Sequence, residues 1–69
     1  MQTKYKYIEF DYIPATACWL ITNHKLKEHI GKLEFNKTWK EWEFLPFEDT
    51  GWTLICLEDV IHFIKQLKK

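Results

Sequence analysis

Glu58 and His62 stand four residues apart, and Asp59 and His62 three. On a helix either spacing brings both side chains to one face, where a carboxylate and an imidazole can share a metal ion. The remaining ligands would have to come from His24 and His29, in a polar segment that fixes no geometry, and there is no HExxH-type signature. The pairs therefore read as a surface ion pair of modest value, and no metal is expected. Cys18 or Cys56 with a histidine would make a nucleophilic pair. Cys56 falls near a predicted helix start, where a dipole favours a thiolate, but it lies inside an apolar run and reads as an inert core thiol. Glu41 and Glu43 share one strand face, as do Glu9 and Asp11. Paired carboxylates divide acid and base roles only where burial separates them, and a solvated sheet face does not. The chain contains no serine, which removes serine-nucleophile mechanisms, and its two glycines, Gly31 and Gly51, build no phosphate-cradling loop. The expectation is a protein that is not an enzyme and carries no cofactor.

The aromatic residues offer binding chemistry instead. Aromatic side chains on a sheet can stack unpaired bases. Trp42, Phe44, Leu33 and Phe35, however, alternate with charged residues, as a core beneath an amphipathic helix does. Trp39 beside a turn, Trp52 before the helix, and Tyr5 and Tyr7 on the more polar side of the first strand fall outside that pattern. Exposed Trp and Tyr anchor protein interfaces, so these four, with Lys37, are the candidate binding residues. The competing reading makes Trp39 and Trp52 lids on the ends of a very small core, and the size of the chain favours it.

These residues are carried by elements that show in the hydrophobic period. Apolar residues recur at every second position through Leu33, Phe35, Trp42 and Phe44, and at helical spacing through Leu57, Val60, Ile61, Ile64 and Leu67. Strands are predicted over residues 4–13, 17–23, 32–36 and 40–45, with residues 24–29 as a loop and Asn36-Lys37-Thr38 as a turn. Gly31 starts or bulges the third strand, and Pro14 and Pro46 end the strands before them. Thr53 is a plausible N-cap for a helix over residues 54–67. Glu58 and Asp59 near its start and Lys65, Lys68 and Lys69 at its end complement the dipole. The fold class is α+β: a three- to four-stranded antiparallel meander with one C-terminal helix on one face, the count depending on whether the first strand is ordered. The helix is expected across the face carrying Leu33, Phe35, Trp42 and Phe44.

Sixty-nine residues make a single domain. A chain this short buries only about 60% of its unfolded surface, so its rings, 17% of residues, must supply much of the core. Ten lysines balance ten acidic residues and there is no arginine, so no overall basic field draws phosphate or anionic lipid. The two widely spaced cysteines read as reduced thiols in a cytoplasmic protein, and the first residues as neither a signal peptide nor a membrane span.

Trp19-Leu20-Ile21-Thr22-Asn23, Gly31-Lys32-Leu33, Trp39 through Pro46, and Leu57 through Phe63 follow a layout of W-x-x-x-N, G-x-[I/L], W-x-x-[W/Y]-x-F-x-P and L-x-[D/E]-[I/V]-x-x-F. That layout, over about residues 19–64, resembles short uncharacterised proteins of bacterial, phage and mobile-element genomes. The resemblance implies origin and no particular chemistry. A looser, topological resemblance is to the arm-binding domains of phage and transposon integrases, which read DNA with sheets rich in Arg and Lys, as this one is not. The leading expectation is a small accessory protein of phage or mobile-element origin that binds another protein or itself, with the first strand as the open edge. The alternative is a sheet-based nucleic-acid-binding module using Lys6, Lys32, Lys37 and Lys40.

Overall fold

The computed structural model describes residues 1–68; Lys69, expected at the helix end, lies outside them. Strands β1 (Ile8–Ile13), β2 (Cys18–Asn23), β3 (Glu28–Asn36) and β4 (Glu41–Pro46) form one antiparallel sheet in chain order, followed by helix α1 (Leu54–Leu67). This is the α+β meander that the two periods predict.

Alternation sets the faces. Ile8, Phe10, Trp19, Ile21, Leu33, Trp42 and Phe44 share the face beneath α1, where Ile8, Ile21 and Leu33 are fully buried. A bulge enriches this core. Ile21 pairs with Gly31 but Thr22 with His29, so Ile30 is an extra residue in β3, and its side chain joins the buried cluster. The bulge interrupts the alternation and so conceals in the sequence that β3 begins at Glu28, well before residue 32. Gly31 is required by close approach: a Cβ there would lie 3.1 Å from Trp52 Cζ2.

All three hairpins close through four-residue loops, residues 14–17, 24–27 and 37–40, each ending in a left-handed residue: Ala17, Lys27 and Lys40. The second and third loops are copies of one another. Asn23 Oδ1 accepts from Lys25 N and Leu26 N at 2.9 Å each, and Asn36 Oδ1 accepts from Thr38 N at 2.9 Å and Trp39 N at 3.0 Å. In both, the fourth loop residue donates to the carbonyl of the leading Asn, Lys27 N to Asn23 O and Lys40 N to Asn36 O. Each of these side chains satisfies two backbone donors that the turn leaves free, so an Asn-x-x-(Leu/Trp)-Lys-Glu segment encodes the turn twice.

The helix begins where expected: Thr53 is the N-cap, its Oγ1 accepting from Cys56 N at 3.3 Å. No acidic residue lies in the first turn; Glu58 and Asp59 fall in the second, where the dipole is weaker, and Lys65 lies in the last. Cys56, Val60 and Phe63 point into the core. The helix sits off centre. Phe63 stacks on Phe10 of β1 with centroids 4.0 Å apart and takes Trp19 of β2 edge-on at 4.9 Å. The β3–β4 half of the apolar face is covered mainly by Trp52, edge-on to Phe44 at 4.8 Å. Phe35, expected beneath the helix, is 46% exposed because α1 lies toward the opposite side of the sheet.

Candidate functional site

The five candidate binding residues separate into two kinds. Trp39 is 76% exposed at the tip of the β3–β4 turn, with Lys37 beside it, because the turn hydrogen bonds hold the backbone and leave the indole no core to enter. Trp52 is half-buried against Phe44, its Nε1 donating to Thr50 Oγ1 at 3.0 Å. It is the lid, and Trp39 is not. Tyr7 is partly exposed at the opposite end of the sheet from Trp39, with the Lys6 ammonium 5.2 Å from its ring centre. Tyr5 is packed edge-on against both Phe10 and His62.

Tyr5 belongs to a polar clasp. Gln66 and Gln2 exchange bonds that fix the Gln66 amide: Gln2 N donates to Gln66 Oε1 at 2.8 Å, and Gln66 Nε2 donates to Gln2 O at 2.9 Å. Gln66 Nε2 also donates to Tyr5 Oη at 3.1 Å. Tyr5 Oη also shares a hydrogen bond with His62 Nδ1, 2.7 Å away, its direction set by the His62 tautomer. Burial first, and the Asp59 carboxylate second, raise the Tyr5 phenol above its ordinary 10.0. His62 thus serves Tyr5 and not a helical ion pair with Glu58 or Asp59.

The other chemistry-bearing groups stay apart. His29 Nδ1 meets Thr22 Oγ1 at 3.2 Å on the open sheet face. His24 Nε2 lies 3.8 Å from Glu9 Oε1, beyond hydrogen-bond reach, and is without a partner among the described residues. Cys18 contacts Thr16 Oγ1 at 2.9 Å, and Cys56 lies in the core beneath α1. A cavity of about 290 Å³ brings Cys56 beside Tyr7, Asn23 and Thr53, with neither a histidine nor a carboxylate in its lining. A second, of about 370 Å³, joins Lys37 and Phe35 to Thr16, Glu34 and Glu43. Among the described residues no three His, Cys, Asp or Glu side chains cluster as metal ligands would, and no helix is long and apolar enough to cross a membrane.

The open sheet face carries Glu9, Asp11, Glu34, Glu41 and Glu43 against Lys32, which is paired with Glu34 at 3.1 Å. The remaining lysines lie in turns, near the first residues and on the helix.

The two sheet edges differ. Residues 3–5 fold back along β1, with Phe10 N donating to Thr3 O and Tyr5 N to Ile8 O, both at 2.8 Å. The edge expected to be open is thereby covered by the chain itself over Ile8–Phe10. Among the described residues nothing pairs with the outer edge of β4, which is bare. Phe47 N donates inward to Ile30 O, so by alternation Trp42, Phe44 and Pro46 turn their backbone groups outward. Pro46 is tolerated in the strand because its missing N–H is on that side. Leu54 (73%), Leu57 (37%) and Ile61 (54%) form an exposed apolar flank of α1 at helical spacing. Lys68, from the same flank, reaches Glu41 at 3.2 Å. The unpaired β4 backbone thus lies beside exposed Phe35, which pairs with Trp42. Periodicity alone did not reveal this site. Comparison with protein-family models, curated proteins and solved structures finds no match for this chain.

Proposed function

We propose that the protein is a small non-enzymatic accessory module that acts by binding a protein strand at the β4 edge. The observation that carries this reading is the coincidence of the bare edge with an apolar apron on the sheet, where Phe35, 46% exposed, lies edge-on to Trp42 of β4. An added strand takes its affinity from main-chain hydrogen bonds and its selectivity from alternate side chains meeting such an apron. A nucleic-acid role has less in its favour, because the open sheet face is acidic and Lys32 is already paired. The cytoplasmic setting and the phage or mobile-element origin rest on cysteine usage and on the sequence layout.

The test is capture from lysate of the source cell by the tagged chain, with nuclease, beside Trp42→Pro. Proline at position 42 removes an outward N–H and no ladder bond to β3, and Trp42→Ala, which keeps that N–H, controls for loss of the core-packed indole. Nuclease-resistant capture that Trp42→Pro abolishes is expected. Capture that vanishes with nuclease, or that survives the variant, would refute the reading.

A further inference from the structure

Resting on that reading, we infer that the strand received at the β4 edge is β4 of a second copy, in an antiparallel register centred on Phe44. The residues of β4 select this register. Outward backbone groups occur at Trp42, Phe44 and Pro46, so a two-fold axis can pass through the Phe44 pair or the Glu43 pair with the same number of backbone bonds. Centring on Glu43 sets two carboxylates directly opposite one another, a destabilising arrangement. Centring on Phe44 sets Glu43 of each copy opposite Leu45 of the other, Phe44 opposite Phe44, and Trp42 opposite Pro46, which supplies its carbonyl and lacks only the donor. The same register brings Lys40, at the foot of one copy's turn, to Glu48, just past the end of the other copy's strand. Charge complementarity therefore selects this alignment, and the proline is tolerated in it.

The other edge explains why assembly would stop at two. Residues 3–5 bond to Ile8 and Phe10 of β1 in each copy, so the joined sheet ends at both sides in strands blocked over that stretch. An isologous contact closes, whereas an exposed second edge would allow a growing ribbon.

Two substitutions test this without burdening the monomer. Leu45 pairs with Lys32, and Glu43 with Glu34, across the β3–β4 ladder. Leu45→Glu therefore gains an opposite charge within the chain, while in the dimer it meets Glu43 of the second copy, twice by symmetry. Glu43→Lys relieves a like-charge pair within the chain. Sedimentation across a concentration series should show a dimer for the parent chain. Leu45→Glu should raise the dissociation constant roughly tenfold or more with an unchanged circular dichroism spectrum. The double variant Glu43→Lys/Leu45→Glu should restore the dimer through Lys–Glu contacts. Under mild oxidation Glu43→Cys/Leu45→Cys should cross-link between copies and Glu43→Cys alone should not. A parent chain that stays monomeric would overturn the inference, while lysate capture sensitive to Trp42→Pro would still stand for a different strand donor. A dimer indifferent to Leu45→Glu, or cross-linked by Glu43→Cys alone, would overturn the edge or the register.

Discussion

Gly31→Ala sets two opposing effects against each other. The backbone at Gly31 is outside the left-handed region, so alanine is conformationally allowed, and restricting the unfolded chain would stabilise the protein by about 0.4–1 kcal/mol. The added methyl, however, would stand 3.1 Å from Trp52 Cζ2, 3.2 Å from Leu45 O and 3.3 Å from Pro46 Cα. Two of these neighbours are strand backbone. The third is a ring held edge-on to Phe44 and tied to Thr50 Oγ1, so none swings aside freely. Overpacking of this kind costs roughly 1–3 kcal/mol, and the balance is a net loss of about 1 kcal/mol. That loss is a substantial part of the roughly 3–10 kcal/mol expected of a domain this size and corresponds to a melting point about 4–8 °C lower. Urea titration followed by tryptophan fluorescence and by circular dichroism measures it. The same substitution in a Trp52→Leu background should cost at least about 0.5 kcal/mol less, as coupled neighbours do. A Gly31→Ala protein as stable as its parent would refute the packing argument. An equal cost in both backgrounds would remove Trp52 from it.

The duplicated turn predicts matched behaviour: Asn23→Ala and Asn36→Ala should each lose about 1 kcal/mol, additively, in thermal melts; a loss at only one of the two would show that the turns are not equivalent in energy. Lys27→Gly and Lys40→Gly should each raise stability by roughly 0.5–1 kcal/mol, because both lysines hold left-handed backbone at φ 56°; a fall in melting point would count against that. Thr53→Ala should cost about 1 kcal/mol, read from the same melts, through loss of the acceptor for Cys56 N. For Tyr5, the folded state holds the phenolic proton more tightly than the unfolded state. Its contribution is therefore complete below the ordinary value of 10.0 and is lost as pH rises through the raised one. Stability should decline across that alkaline window, and Tyr5→Phe should flatten the decline; an unchanged slope in the variant would refute the assignment.

Much of the fold was legible in the residues. Two hydrophobic periods and Thr53 located the sheet, its apolar face and a helix over Leu54–Leu67. What escaped reading was lateral placement. The apolar pattern of α1 says which way its core face points and not which strands lie beneath it; Phe63 settles over Phe10 and Trp19 through ring packing at long range. Ile30 was hidden because a bulge breaks the alternation on which strand reading depends. Residues 3–5 share the β-prone character of the strand they cover, so composition gave no sign that the chain doubles back at this edge. For the site, Trp39 and Trp52 are alike as residue types, and their different fates follow from hydrogen bonds made by Asn36 and Thr50. The matching Asn-x-x-(Leu/Trp)-Lys-Glu segments were visible in the sequence and become meaningful only when both side chains are seen capping the same turn.

The meander order also governs how the chain acquires its structure as it is made. Each hairpin closes over a short loop, so the sheet can zip in chain order soon after each strand emerges. Its apolar face, with Ile8, Phe10, Ile21 and Leu33, then has no cover until residues 54–67 follow. Gln2 waits longest, since its partner Gln66 is made 64 residues later. The nascent sheet is thus most vulnerable to wrong contacts in the interval before the helix arrives. Slowing translation between Pro46 and Thr53 should lengthen that interval and lower the soluble yield without altering the finished protein.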